Sequence, residues 1–422
     1  MRSARFVLLV TACAWLLNAA SVAMSAPPEF SPGDWPRWRG PQASGVAEAN
    51  QQPPLKWSAT ENVVWKAPVP GRGHSSPTVV GKQVFVATAE EDAEIQSVIA
   101  YDRQTGKQIW KAEIHKGGLD RKGNKKASQA SSTVACDGER LFINFLNKGS
   151  VYTTALDLQG KQLWQTKVSD FTTHQGFGSS PALYQDLVLV TTDSPGGGAV
   201  AALRRDTGDI VWSDSRPKKA NYASPIVLDV AGKQQLIVSG CDLVSSYDPL
   251  TGKKYWEIEG STTECVTTAV TDGERVFVSG GYPKKFTGAI EADGSGKTAW
   301  ENNSQVYVPS MIVCQDHLYA LLDNGTAACW KSDTGAEAWK TRLGGGFTAS
   351  LVQVNDLLFG TNETGTTYIF KATPAKLELV GENQLGEEVY ATPAICGSRI
   401  YMRVVENSDG QRQEMLYCLG SK

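Results

Sequence analysis

Two histidines, one carboxylate and four aromatic residues of this 422-residue chain stand at equivalent places in a repeating pattern. They are His74 in GRGHSSP, His174 in HQGFGSSP, Tyr222 in KKANYASP and Glu264 in TTECVTT. Tyr307 in QVYVPS, Phe347 in GGGFTAS and Tyr390 in EEVYATP complete the set. An imidazole near neutral pH suits a general base or a metal ligand. A carboxylate suits a cation, and aromatic faces suit sugar rings or apolar ligands. The same segments carry Gln129, Phe177, Asn221 and Glu388. No third ligand sits at metal-binding spacing from the histidines, so no metal site is expected. Side chains that merely fill a channel entrance remain the competing explanation.

Those residues meet only if the segments holding them converge. Ala223–Gly260 shows the unit that would bring this about: SPIVLDV, QQLIVSG, VSSYDP and KKYWEIE are short β-prone runs split by turn residues. Such a pattern predicts a four-stranded antiparallel sheet. Its last turn, Thr251-Gly252, precedes Trp256 by four residues. The marker recurs before Trp110, Trp164, Trp212, Trp300 and Trp339, at intervals of 39 to 54 residues. Four strands at that period predict a β-propeller. In such a blade the first strand is innermost, and the inter-blade segments share one face with the loops between strands two and three. The residues above then ring the axis on that face, where binding groups concentrate.

Seven repeats follow in order: Ser75–Ile114, Ser131–Val168, Ser179–Ser215, Ala223–Gly260, Thr267–Asn302, Pro309–Leu343 and Ala349–Gln384. The seventh is irregular, with Thr373–Val380 as its expected fourth strand and Pro374 in place of glycine. Asn62–Val69, with Trp65 at the marker position, is a fourth strand without three before it. Ala391–Gly420 has three strands without a fourth. Together they make an eighth blade and close the ring, removing exposed edges. The expected fold is an all-β, eight-bladed propeller over residues 62–422. It is preceded by a lead-in over 24–61 that packs its tryptophans on the outside of the propeller.

The element SSPTVVGKQVFVAT…IAYDRQTGKQIW resembles the repeats of the pyrroloquinoline-quinone (PQQ)-like propeller family, in which the marker tryptophans dock neighbouring blades. The resemblance covers nearly all of Asn62–Gly420. It implies a superfamily shared by quinoprotein alcohol dehydrogenases and by non-catalytic scaffolds of the BamB outer-membrane assembly type. The dehydrogenases add a vicinal disulfide, acidic and amide calcium ligands and an aspartate base. This sequence has no adjacent cysteines and no Cys-x-x-Cys-His haem site. No catalytic residue carries over, and PQQ with Ca²⁺ is left as the minor alternative, with Glu264 or Asp242 as calcium ligands in principle.

The net charge of −3, with no basic cluster longer than Lys125-Lys126 or Lys218-Lys219, argues against nucleic acid. Arg2 and Arg5 ahead of the apolar run Phe6–Leu17, followed by small residues, read as a signal peptide cleaved after Ala23. No other apolar stretch is long enough to span a membrane, and no cysteine stands at a lipobox position. Seven cysteines lie beyond that leader. Cys136, Cys314, Cys329, Cys396 and Cys418 are expected as small buried hydrophobes, because the first and third strands of a blade are too far apart to bridge. Cys241 and Cys265 fall in loops of one face, and a disulfide between them is expected as an alternative to two free thiols. The expectation is a monomeric, exported, non-catalytic binding protein, periplasmic or extracellular. Its partner would be an envelope protein, a glycan or a small ligand.

Overall fold

A computed structural model describes residues 30–120, 122–408 and 410–421; the expected leader, residues 1–23, lies outside them. Eight four-stranded antiparallel sheets form the ring. Blade 4 is typical, with strands Ile226–Val230, Lys233–Gly240, Leu243–Tyr247 and Lys254–Glu259. The second and third strands are buried on both faces because neighbouring blades cover them, whereas the fourth alternates buried with exposed residues. Blade 8 takes Ala394–Cys396, Arg399–Ser408 and Gln411–Leu419 from the end of the chain and Val63–Val69 from its beginning. The ring is closed as the half-repeats imply.

The repeated turn and tryptophan work between blades rather than within one. The Trp110 indole lies over Gly160, the turn glycine of the next blade, and donates to the Leu158 carbonyl at 3.0 Å. A Cβ at Gly160 would stand 2.7 Å from that ring. Trp65, Trp164, Trp212 and Trp300 make the same contact with Gly106, Gly208, Gly252 and Gly335. Burying an aromatic side chain of this size contributes roughly 4 kcal/mol before ordering costs. Trp256 departs from this. The turn of blade 5, closed by Glu291 N to the Lys297 carbonyl, is one residue longer than that of blade 4, closed by Asp248 N to the Lys253 carbonyl. The Trp256 indole donates instead to Gln235 Oε1 at 2.8 Å, and Gln235 Nε2 donates to the Ala292 carbonyl at 2.9 Å. The amide relays the contact that the indole makes directly elsewhere.

Blade 7 corrects the sequence reading. Its fourth strand is Leu379–Gln384, not Thr373–Val380. Pro374 lies in the turn before it, where its missing N–H costs no ladder bond. Trp339 docks there, donating to the Thr373 carbonyl at 2.9 Å.

The lead-in also differs from expectation. Trp57 does pack at the outer strand of blade 7, its backbone N–H donating to Asn383 Oδ1 at 2.9 Å, but the stretch from Trp35 to Val46 crosses the end of the central channel opposite the inter-blade loops. Trp35 pairs with Val79 on the innermost strand of blade 1, the Pro36 carbonyl accepts from Cys136 N in blade 2, and Val46 pairs with Gln353 in blade 7. Arg39 is buried and donates to the Ser44 and Met311 carbonyls at 2.6 Å. Eight inner strands leave unpaired polar groups around the axis, and this segment satisfies part of them.

Above the lead-in lies a ring of hydroxyls, one at the start of each inner strand. The backbone N–H of Ser76 donates to Thr133 Oγ1, that of Thr133 to Ser180 Oγ, and that of Ser180 to Ser224 Oγ, at 2.9 to 3.1 Å. Thr268, Ser310, Ser350 and Thr392 continue it with links of 2.9 to 3.0 Å. At Thr268 the hydroxyl takes the Trp38 indole N–H at 3.0 Å. Ser76 Oγ has no partner. The recurring SSP-like motif therefore places a polar collar at the base of the axial cavity.

Candidate functional site

The cavity above that collar has a volume of about 780 Å³. The seven residues of the leading set line it: His74, His174, Tyr222, Glu264, Tyr307, Phe347 and Tyr390. Blade 2 adds Lys126 from its long approach segment, so all eight inter-blade connections contribute. Trp38 reaches the cavity from the lead-in.

One wall is a hydrogen-bonded cluster from four successive connections. Tyr307 OH donates to Glu264 Oε2 at 2.8 Å. His174 Nδ1 lies 3.4 Å from Glu264 Oε1 and 3.2 Å from Tyr222 OH. Glu264 is held from behind, its N–H donating to the Tyr282 carbonyl, and only 6% of its side chain is exposed against 48% of that of His174. Burial and the neighbouring Glu264 charge push the Tyr222 hydroxyl well above its ordinary range. For Tyr307 burial and its bond to Glu264 do the same, so both phenols stay neutral donors.

The opposite wall is apolar and neutral. The rings of His74 and Tyr390 stand 4.6 Å apart. Burial, with Arg72, Arg403 and Arg412 nearby, pushes His74 down to about 3, so it is uncharged at neutral pH. Its Nε2 is buried without a partner. Phe347 is buried and packs edge-on against Tyr368.

Two carboxylates of the cavity escaped the sequence reading. Asp323 and Glu363 sit in the hairpin loops between strands two and three of blades 6 and 7. Those loops share the face of the inter-blade segments, so LLDNG and TNETG are the signals that could have found them. Asp323 Oδ2 accepts from Tyr307 N at 2.7 Å. Burial pushes its carboxyl up to about 6, the backbone N–H groups opposing and the Glu363 charge adding to the shift. Glu363 accepts from Lys126 Nζ and from Thr348 Oγ1, both at 2.7 Å.

Other residues flagged in the sequence lie elsewhere. Asn221 is buried behind the loops, donating to Asp193 and accepting from Cys265 N. Gln129 and Glu388 line separate, smaller clefts. Asp242 is paired with Lys219 at 2.6 Å on the exposed rim. Of the two alternatives for Cys241 and Cys265, a disulfide or two unpaired thiols, the second is found: both are free. Cys241 occupies a hairpin position with φ of 62° and directs its sulfur to the Lys219 carbonyl, while Cys265 Sγ bonds Ser261 Oγ. Burial raises both thiols, holding them protonated.

Among the described residues no three His, Cys, Asp or Glu side chains are grouped to hold a metal ion. No helix is long and apolar enough to cross a membrane.

The model of the family described as outer membrane protein assembly factor BamB, a PQQ-repeat family, matches residues 55–172 and 94–341. The outer membrane protein assembly factor BamB of Burkholderia pseudomallei is 30% identical over 255 residues, covering 56% of this chain and 58% of that protein. A polyvinylalcohol dehydrogenase from a Pseudomonas species is 25% identical over 255 residues, 56% of this chain and 37% of the enzyme. The match thus spans little more than half of the first relative and well under half of the second. Among solved structures, BamB from Moraxella catarrhalis aligns with a TM-score of 0.60 at 14% identity, over 85% of this chain and 97% of that one. At that identity the likeness concerns the fold alone.

Proposed function

The chain belongs to the PQQ-repeat propeller family of the BamB type, and on that premise we propose that it is an exported, non-catalytic binding protein of the cell envelope. Its blade-connecting loops hold a small ligand or glycan in the axial cavity and present a face to envelope proteins. One observation carries this reading. Residues from all eight inter-blade connections line one cavity of about 780 Å³, with neutral tyrosines as donors and stacking surfaces.

A quinone-dependent dehydrogenase is the second reading, favoured by the polyvinylalcohol dehydrogenase relative. The donor set opposes it. PQQ is a tricarboxylate, yet Lys126 is the sole Lys or Arg among the cavity residues described and its ammonium is already on Glu363. Calcium requires about six to eight oxygens, and among the described residues no three His, Cys, Asp or Glu side chains are grouped to hold a metal ion.

Calorimetric titration of the mature protein with a panel of soluble oligosaccharides, and separately with PQQ and Ca²⁺, tests the choice. Saturable binding of a sugar that Tyr222→Ala and Tyr390→Ala both remove supports the binding reading. Tight PQQ binding with dye-linked alcohol oxidation replaces it with the dehydrogenase.

A further inference from the structure

Glu264 and Asp323 are both attached to Tyr307, one through its hydroxyl and the other through its backbone N–H. Two carboxylates are therefore held at the two ends of Tyr307, both lining the cavity. Neither has a Lys or Arg partner. The third carboxylate, Glu363, does have one. The chain sends Lys126 from 237 residues away to set an ammonium on it at 2.7 Å. Around these acids stand Tyr222 and Tyr307, whose faces suit a cation. Ser76, only 3% exposed, lines the same cavity with a hydroxyl oxygen that has no partner. It is an acceptor free for an incoming N–H donor, and an unmet buried hydroxyl costs stability until such a donor arrives.

From this arrangement we propose that the axial cavity is a receptor for an organic ammonium ligand, such as an amino sugar or an amine-bearing chain. The ammonium lies along the Tyr307 wall that carries Glu264 and Asp323, and the ligand's hydroxyls or N–H groups meet the collar at Ser76. The inference rests on the proposed binding role of the cavity and adds the charge of what it binds. Lys126 already shows the cavity accepting one ammonium. Lys126 Nζ is bonded to Glu363 rather than to Asp323, and Glu264 has only the half-exposed His174 imidazole beside it, so a ligand ammonium adds a counter-charge that a neutral sugar does not. The charge-assisted bonds thus gained are the stronger class, and they weaken with salt.

Two matched pairs of probes test it on the full mature protein by calorimetry. One is a glucosamine tetramer against its N-acetylated counterpart, and the other is spermidine against its fully acetylated form. Each pair differs at the amine. The expected result is at least tenfold tighter binding of the amine in each pair, lost in high salt. Asp323→Asn and Glu264→Gln, which keep the bonds to Tyr307, should abolish that preference while leaving the melting transition cooperative. Equal affinities within a pair overturn the ammonium assignment and leave the cavity as a neutral-ligand site. Failure of all four probes to bind overturns the ammonium assignment. Loss of neutral-sugar binding in the same titrations would instead count against the binding role itself. A preference unchanged in both variants overturns the placement at these two acids.

Discussion

Trp38 Nε1 donates to Thr268 Oγ1 across 3.0 Å, so the segment ahead of the propeller supplies a bond to the hydroxyl collar at blade 5. The sequence separation is 230 residues. The lead-in is thus part of the cavity floor. Trp38→Phe keeps most of the ring contact and removes the donor. It should cost about 1 kcal/mol, read as a lowered urea midpoint at unchanged slope.

Two glycines separate inter-blade docking from backbone strain. Gly208 and Gly232 have φ of 78° and 73°. A Cβ at Gly208 would lie 2.6 Å from Trp164, whereas at Gly232 nothing lies within 4 Å. Gly232→Ala should cost about 1 kcal/mol, the left-handed penalty alone. Gly208→Ala should cost roughly 1–3 kcal/mol more, from forced displacement of the indole. Equal losses in denaturant melts would remove the docking role assigned to the turn glycines.

His74 makes stability depend on acid. Its folded value of about 3 lies below the ordinary 6.5 because burial and three arginines disfavour the imidazolium. The unfolded chain therefore binds a proton that the folded one refuses. Stability from this group is complete above about pH 6.5 and is lost as pH falls toward 3, by roughly 3–5 kcal/mol. His115, pushed down to about 4 by burial and Lys148, adds to the same slope. His74→Phe keeps a ring against Tyr390 and should flatten the acid limb by about one proton. An unchanged limb would assign it to other groups.

Asp323 acts in the opposite sense. Its folded value of about 6 is above the ordinary carboxylate range, so between about pH 4 and 6 the folded chain holds the extra proton. Stability from this group falls as pH rises through that window and stays lower above it. Glu363 and Lys126 face it as charges, and Tyr307 faces it through its N–H. Asp323→Asn should raise stability at pH 7.5 by about 2–3 kcal/mol and leave it unchanged at pH 4. Paired melts at the two pH values check this.

The Arg403–Glu414 pair belongs to ring closure. Both side chains are 2% exposed. Arg403 also donates to the Ala87 carbonyl at 2.6 Å, tying blade 8 to blade 1. Arg403→Met leaves Glu414 with Arg412 Nη1 at 2.8 Å as its remaining cation and should cost about 1–3 kcal/mol, whereas the double change Arg403→Met with Glu414→Gln should recover part of that loss. Differential scanning calorimetry of the two variants decides it.

What the sequence by itself determined is whatever repeats locally. Alternation of β-prone runs with turn residues made four strands per unit, and the spacing of Trp110 to Trp339 made the blades countable. The orphan strand around Trp65 then completed the ring. The inter-blade residues His74 to Tyr390 were legible as one group because their place in the repeat sets the face they occupy. Only the tertiary structure decided where the lead-in runs, because Trp35, Trp38 and Arg39 carry no periodic signal and find partners hundreds of residues away. The same holds for Asp323, Glu363 and Lys126, which meet across the axis from three different connections. It also holds for Gln235, a strand residue like many others until it bridges Trp256 to the Ala292 carbonyl in the longer turn of the next blade. Strand and turn formation depend on backbone preferences a few residues long. Pairings across the axis depend on which side chains ring closure brings within hydrogen-bond reach, as the free thiols of Cys241 and Cys265 show.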